Sequence, residues 1–172
     1  MINGQQSSGL DLRLAPQKTI GRANAIFSHP KGRAQIAVQT NPLTLAGNSE
    51  NGLFLSPNFI VFGRKVVTPP SIEFEFISYS PQRKFLVNRT LQILSHDRAL
   101  YSDRLVLATW GTSPDATVTE VLVAKIPNKN FTNLIGEKSL SLVVGEARLE
   151  LTEDNLEALR DLKRMIDSSV SF

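Results

Sequence analysis

The side chains with most chemical potential in this chain are few: its only histidines are His29 and His96, and it has no cysteine. Neither histidine has a second ligand at the spacing a zinc site requires, so no metal is expected. His96 stands between Ser95 and Asp97, the three residue types of a hydrolytic triad. Neighbours within a turn point in different directions, whereas a triad is assembled across a fold, so a polar turn is the expectation. Residues 47–52 (Gly-Asn-Ser-Glu-Asn-Gly) place Ser49 between glycines as a nucleophile elbow does. They hold one residue too many before the second glycine and lack the strand-to-helix setting. Glu73 and Glu75 are paired carboxylates, but they alternate with Ile72, Phe74 and Phe76, which puts them on a solvated sheet face. General acid–base work would need one of them raised in pKa by burial. Gly136 and Gly145 stand alone in turns, and no phosphate-cradling glycine loop is present. These readings predict no enzyme and no cofactor.

Recognition is the remaining kind of chemistry. Trp110, the single tryptophan of the chain, closes an apolar run and is followed by Gly111, Thr112, Ser113, Pro114 and Asp115. A strand-end indole beside a polar loop can floor a binding patch, and Trp110, Asp115 and His96 are the candidate ligand or partner residues. Phe59, Phe62, Phe74, Phe76 and Phe85 mostly fall on faces expected to fill the core rather than to stack on bases.

Charge is distributed unevenly. Residues 1–70 hold seven Lys and Arg against Asp11 and Glu50, whereas residues 71–172 hold twelve against fourteen acids. The N-terminal cations Arg13, Lys18, Arg22, Lys31 and Arg33 are spread out, without the run of neighbouring charges usual in a nucleic-acid arm.

Turn chemistry and hydrophobic period then give the elements that must carry these residues. Residues 139–167 are the most fully specified. A two-residue turn at Gly145-Glu146, glycine first as a II′ hairpin prefers, pairs Val144 with Ala147, Leu142 with Leu149 and Leu140 with Leu151. A one-residue slip would turn those leucines to water. Thr152 then serves as N-cap, Glu153 and Asp154 suit the start of a helix dipole, and Leu156, Leu159, Leu162 and Ile166 recur at helical spacing. Glu157, Arg160, Asp161, Lys163 and Arg164 take the opposite face. The helix is expected to cover the hairpin, with Leu142, Leu149, Leu159 and Leu162 in one cluster.

Upstream, β patterns are predicted over 33–40, 43–45, 53–55, 58–62, 72–78, 85–94, 105–110 and 118–126, with Val87, Leu91 and Ile93 facing inward in the sixth. A short helical turn is predicted around Phe131 to Ile135, closed by Gly136. Residues 1–32, rich in Gly, Ser, Gln and Asn, read as a mobile tail with at most one edge strand, before a single domain over 33–172. About eight strands with helix confined to the end predict a mainly β fold: an antiparallel β-sandwich or partly open barrel with a C-terminal amphipathic helix. No apolar run is long enough to span a bilayer as a helix, and at this length folding buries enough surface for a core without metal or disulfide.

The segment 70–167 opens with Pro70-Ser71-Ile72-Glu73-Phe74. It closes with Val144-Gly145-Glu146-Ala147-Arg148-Leu149-Glu150-Leu151-Thr152 and Leu156-Glu157-Ala158-Leu159-Arg160-Asp161-Leu162. It resembles a loose group of uncharacterised, exported bacterial β-rich domains that end in a strand, a turn and a helix. The resemblance implies an extracytoplasmic setting and carries no active-site residue. The function expected from all this is a non-enzymatic binding or assembly module whose partner is a protein or a cell-envelope component. The alternative is a nucleic-acid or anionic-surface binder that uses the basic N-terminal third.

Overall fold

A computed structural model describes residues 15–172. Its strands are β1 (Gln17–Ile20), β2 (Ala23–Ser28), β3 (Gln35–Thr40), β4 (Leu43–Gly47), β5 (Gly52–Phe62), β6 (Ser71–Ser80), β7 (Thr90–Ser95), β8 (Arg98–Arg104), β9 (Val106–Thr112), β10 (Val118–Pro127), β11 (Ser141–Val144) and β12 (Ala147–Glu150). Helix α1 (Asn128–Ile135) separates β10 from β11, and α2 (Glu153–Ser168) follows β12. The expected mainly β fold with a C-terminal helix is what forms. It has two antiparallel sheets and no closed barrel.

The larger sheet runs β1-β2-β3-β5-β6-β10-β9, with β4 also paired to β5; the smaller runs β12-β11-β7-β8. Strict alternation builds the centre of the larger sheet. β6 pairs with β10 over its full length, and Ile72, Phe74 and Phe76 of one lie inward with Leu122, Ala124 and Ile126 of the other. Leu91 and Ile93 of β7 and Leu142 and Val144 of β11 join them in one buried cluster. Fully burying side chains of this size is worth about 1.5–3 kcal/mol each, and that dominates the fold's stability.

β5 runs unbroken through Pro57, where the sequence suggests an interruption. Its partner on one side changes at that point. Leu55 is the last residue opposite β4 and Asn58 the first opposite β3. A proline lacks a ladder donor, and here it sits where neither β3 nor β4 lies opposite, while its other side faces Phe74 of β6.

The expected tail is corrected for the part that is described. Gln17–Ile20 and Ala23–Ser28 are strands of the larger sheet, and Ala23, Ala25 and Phe27 are buried, so the domain boundary expected at residue 33 falls inside a folded sheet. Residues 1–14 lie outside the described part. The tail reading failed because residues 23–28 (Ala-Asn-Ala-Ile-Phe-Ser) carry their inward set mostly as alanine, which gives a weak apolar signal even though it fits under a helix. The strand expected from Phe85 begins only at Thr90, and Val87, expected inward, is 88% exposed. β8 was not foreseen: its polar sequence Arg-Ala-Leu-Tyr-Ser-Asp-Arg gives little β signal, and cross-strand pairing with β7 sets its structure.

The terminal hairpin has the expected register, Val144 opposite Ala147 and Leu142 opposite Leu149, and Leu151 N–H donates to Leu140 O at 2.9 Å. Gly145 has φ +60° while Glu146 keeps a negative φ, as a II′ turn demands. Thr152 caps α2 through its hydroxyl, which accepts from Asn155 N–H at 3.1 Å, an interaction worth about 1 kcal/mol. The helix does not cover the hairpin as expected. It packs on β1, β2, β3 and α1, and Leu149 is only half-buried. Leu142, Leu159 and Leu162 are nonetheless members of the same core. The polar face of the helix also differs from expectation, because Asp161 is buried against the β1–β2 turn.

Candidate functional site

Trp110 lies on β9 opposite Glu120 of β10, with its side chain 52% exposed. What holds it is a buried carboxylate. Glu120 accepts from Lys84 N–H at 2.8 Å, from Phe85 N–H at 3.3 Å and from Arg83 Nε at 3.2 Å, which pins residues 83–85 against the sheet. Arg83 thereby lies with its guanidinium 4.3 Å from the centre of the indole ring. One indole face is therefore already covered by a cation of this chain, worth roughly 0.5–1 kcal/mol at an exposed site. Residue 120 gives no sequence signal for this role, since a glutamate within an alternating strand reads as outward-facing.

Asp115 sits in the loop that joins β9 to β10. Its carboxylate accepts from the Ser113 hydroxyl and from Thr117 N–H at 3.2 Å, and these bonds hold its pKa below the ordinary carboxylate value. It lines an open cleft with Glu50, Asn51, Pro81, Ala116 and Thr117. His96 is in neither setting. It forms the β7–β8 turn in the smaller sheet with Asp97, both residues at positive φ as a I′ turn requires. Its neighbours are engaged elsewhere: the Ser95 hydroxyl donates to Glu137 at 2.8 Å, and Asp97 pairs with Arg148. The structure thus brings Trp110 and Asp115 onto one hairpin, but neither Trp110 nor His96 lines the cleft at Asp115.

The serine loop is held by its own asparagine. Asn48 Oδ1 accepts from Glu50 N–H at 3.0 Å and from Asn51 N–H at 3.1 Å, closing the β4–β5 turn around Ser49. Glu73 and Glu75 stand half-buried on β6, opposite Lys125 and Val123 of β10. Among the described residues no three His, Cys, Asp or Glu side chains converge as metal ligands.

A different group of residues does converge, at the end of the larger sheet where β1, the β2–β3 connection, the β5–β6 connection and the last residues of the chain meet. Main-chain bonds bring the four segments together. Phe27 N–H donates to Pro16 O at 2.9 Å, Gly63 N–H to Ala34 O at 2.9 Å, Val66 N–H to Val170 O at 2.7 Å and Phe172 N–H to Arg64 O at 2.8 Å. Phe27 and Phe172 stack with ring centres 5.4 Å apart, and His29 meets Phe27 edge-on at 4.6 Å. Cations lie over these rings: Arg33 is 3.7 Å from the Phe62 centre, Arg64 5.2 Å from Phe27 and Lys18 5.2 Å from Phe172.

Residues 15–20, 27–33, 60–70 and 168–172 contain Lys18, Lys31, Arg33, Arg64 and Lys65 and not one Asp or Glu. Among the described residues none of the five is ion-paired, as is also true of Lys84, Arg89, Arg104, Lys125, Lys129 and Lys138, whereas Arg22, Arg83, Arg98, Arg148, Arg160, Lys163 and Arg164 are; what sets the five apart is that they lie together. Asp167, the nearest acid before the C-terminal segment, is held by Lys163. The four segments carry only positive side-chain charge, and Glu73 of β6 lies at their margin, in a cleft with Ile60, Pro69 and Pro70. The cations were visible in the sequence as a basic excess, but their convergence was not, because four segments distant in the chain supply them.

No protein-family model, curated protein or solved structure matches this chain.

Proposed function

We infer that the protein is a non-enzymatic binding module and that it recognises a polyanionic surface. The observation that carries this is the convergence of Lys18, Lys31, Arg33, Arg64 and Lys65 at one end of the larger sheet, on segments without Asp or Glu. Like charges brought together repel, and among the described residues seven other cations are paired with carboxylates while these five are not. An uncompensated group of five is the electrostatic footprint of an anionic partner, attracting it from about a Debye length away, roughly 8–10 Å at physiological salt. Bacterial export, as the resemblance of residues 70–167 implies, fits a cell-envelope component as the partner.

Chromatography on an immobilised sulfated polysaccharide tests the reading. The protein should be retained at low salt and elute as salt rises, and Arg33→Glu/Arg64→Glu should elute much earlier, with an affinity lower by roughly tenfold or more at about 1 kcal/mol per surface cation. Flow-through of the unaltered protein at low salt rules the reading out.

A second reading, a protein partner, is supported by β9. This strand is an edge of the larger sheet, and its Val106 and Trp110 are 66% and 52% exposed. An open edge with apolar side chains is a template for an added strand. A photocrosslinker placed at Val106 should give discrete protein adducts in the cells that make the protein, and a smear no different from one placed at Gln39 counts against it.

A further inference from the structure

Resting on the polyanion reading, we propose that the partner at this end of the sheet is the surface of a bilayer containing anionic phospholipid, onto which the protein docks peripherally. The five cations alone do not choose between a phospholipid surface and a nucleic acid. The apolar residues among them do. Ile60 and Phe62 project from the outer face of β5 and are 54% and 55% exposed, and Val67, just beyond Arg64 and Lys65, is 50% exposed. These three exposed apolar side chains, Ile60 in a cleft it shares with Glu73 and Lys125 and Phe62 with one face under Arg33, stand beside the basic group and match the two terms of interfacial binding, apolar area entering the headgroup boundary and cations meeting the phosphates.

Single-stranded nucleic acid would instead use open aromatic faces as stacking platforms. Here those faces are taken. Arg33 covers Phe62, Phe27 is buried against Phe172 and His29, and Lys18 lies over Phe172. Ile60 and Val67 have no ring to offer a base, yet both gain on entering an acyl boundary. Among the described residues no helix is long and apolar enough to cross a membrane, so docking of this kind would be reversible and salt-sensitive.

The test is sedimentation with vesicles of phosphatidylcholine alone and of phosphatidylcholine with about one third phosphatidylglycerol, alongside a single-stranded oligothymidine titration. The protein should bind the mixed vesicles at low salt, bind neutral vesicles at least tenfold more weakly, and release as salt rises. Ile60→Ser/Val67→Ser should weaken vesicle binding roughly tenfold or more while leaving retention on the sulfated polysaccharide unchanged, because the lost contribution is apolar and neither residue holds one of the five cations. In a Trp110→Phe background, Phe62→Trp should shift its emission to the blue on mixed vesicles and be quenched by lipids brominated in the acyl chain.

Binding to oligothymidine or to the polysaccharide without binding to mixed vesicles overturns the membrane inference and leaves the polyanion reading standing. Failure on all three overturns both. Equal binding of the serine variant and the unaltered protein to vesicles reduces the interaction to charge alone and also overturns the inference.

Discussion

The backbone at Gly21 and the carboxylate of Asp161 occupy one space: a methyl group added at Gly21 would lie 2.2 Å from Asp161 Oδ2, while Arg22 N–H donates to that same oxygen at 2.9 Å. Gly21 has φ +55°, so the β1–β2 turn both needs glycine for its conformation and presents its amide edge to the buried acid. Arg22 completes the clasp by donating to Asp154 O at 2.6 Å. The N-terminal hairpin is thus latched to the C-terminal helix.

Gly21→Ala should therefore destabilise the protein by more than about 1 kcal/mol through strained φ and displacement of the carboxylate. Part of that loss should vanish in an Asp161→Ala background. Urea melts of the two single variants and the double variant give the coupling, and strict additivity would show that the two sites do not meet.

Leu159 is buried in the core, and Leu159→Ala should cost on the order of 2–5 kcal/mol. The sequence alone predicts that its neighbour Arg160 is indifferent, but Arg160 donates to Ile135 O at 3.3 Å and Glu137 O at 3.2 Å and pairs with Glu153 and Glu157. Arg160→Ala should cost about 1 kcal/mol, more than a solvent-exposed helix arginine, since it frees the carbonyls that end α1. Chemical denaturation of both variants against Lys163→Ala, a helix position whose ion pair is local, checks the order.

Glu120 binds three donors from a loop that has no regular structure of its own, so Glu120→Ala should cost about 3 kcal/mol or more by orphaning Arg83 and two amides. Because the chain has one tryptophan, its fluorescence reads the consequence directly. Emission should change in Glu120→Ala and in Arg83→Ala alike as the guanidinium leaves the indole. An unchanged spectrum in Arg83→Ala would mean that the two do not stack in solution.

Tyr101 is pushed up to about 12 by burial first and then by its hydrogen bond to Asp103, which it reaches at 3.0 Å. With the folded value above the ordinary 10.0, its contribution to stability is full below pH 10 and is lost as the pH rises toward 12. In Tyr79→Phe, which leaves one tyrosine, ultraviolet titration of phenolate should show a midpoint near 12. A midpoint near 10 would place Tyr101 free in water.

Sequence pattern alone resolves the elements whose alternation is strong. β6, β10, the terminal hairpin with its II′ turn and the Thr152 cap all follow from residue types at fixed spacing. It fails where tertiary pairing outweighs local preference. β2 buries alanines beneath a helix, β8 is polar and follows β7, and Val87 alternates correctly on paper but lies between residues 83–85, which Glu120 pins, and the start of β7 at Thr90, outside any ladder. Of the candidate site, the Trp110–Asp115 hairpin is legible because both residues belong to one strand end. The cation group is not, since only the pairing of β1 with β2, β3 with β5 and Lys65 with Ser171 makes neighbours of residues so far apart in the chain.

The position of α2 sets a timetable for synthesis. The three strands it covers are among the first parts of the described chain to leave the ribosome and the helix is nearly the last. At about 5–20 residues per second, an apolar sheet face waits on the order of ten seconds for its cover. During that interval Ala25, Phe27, Ile36 and Val38 are open to any passing chain, so a nascent-chain chaperone or slow dilution in refolding should raise the yield of native protein far more than it would for a fold whose strands are covered by what comes next.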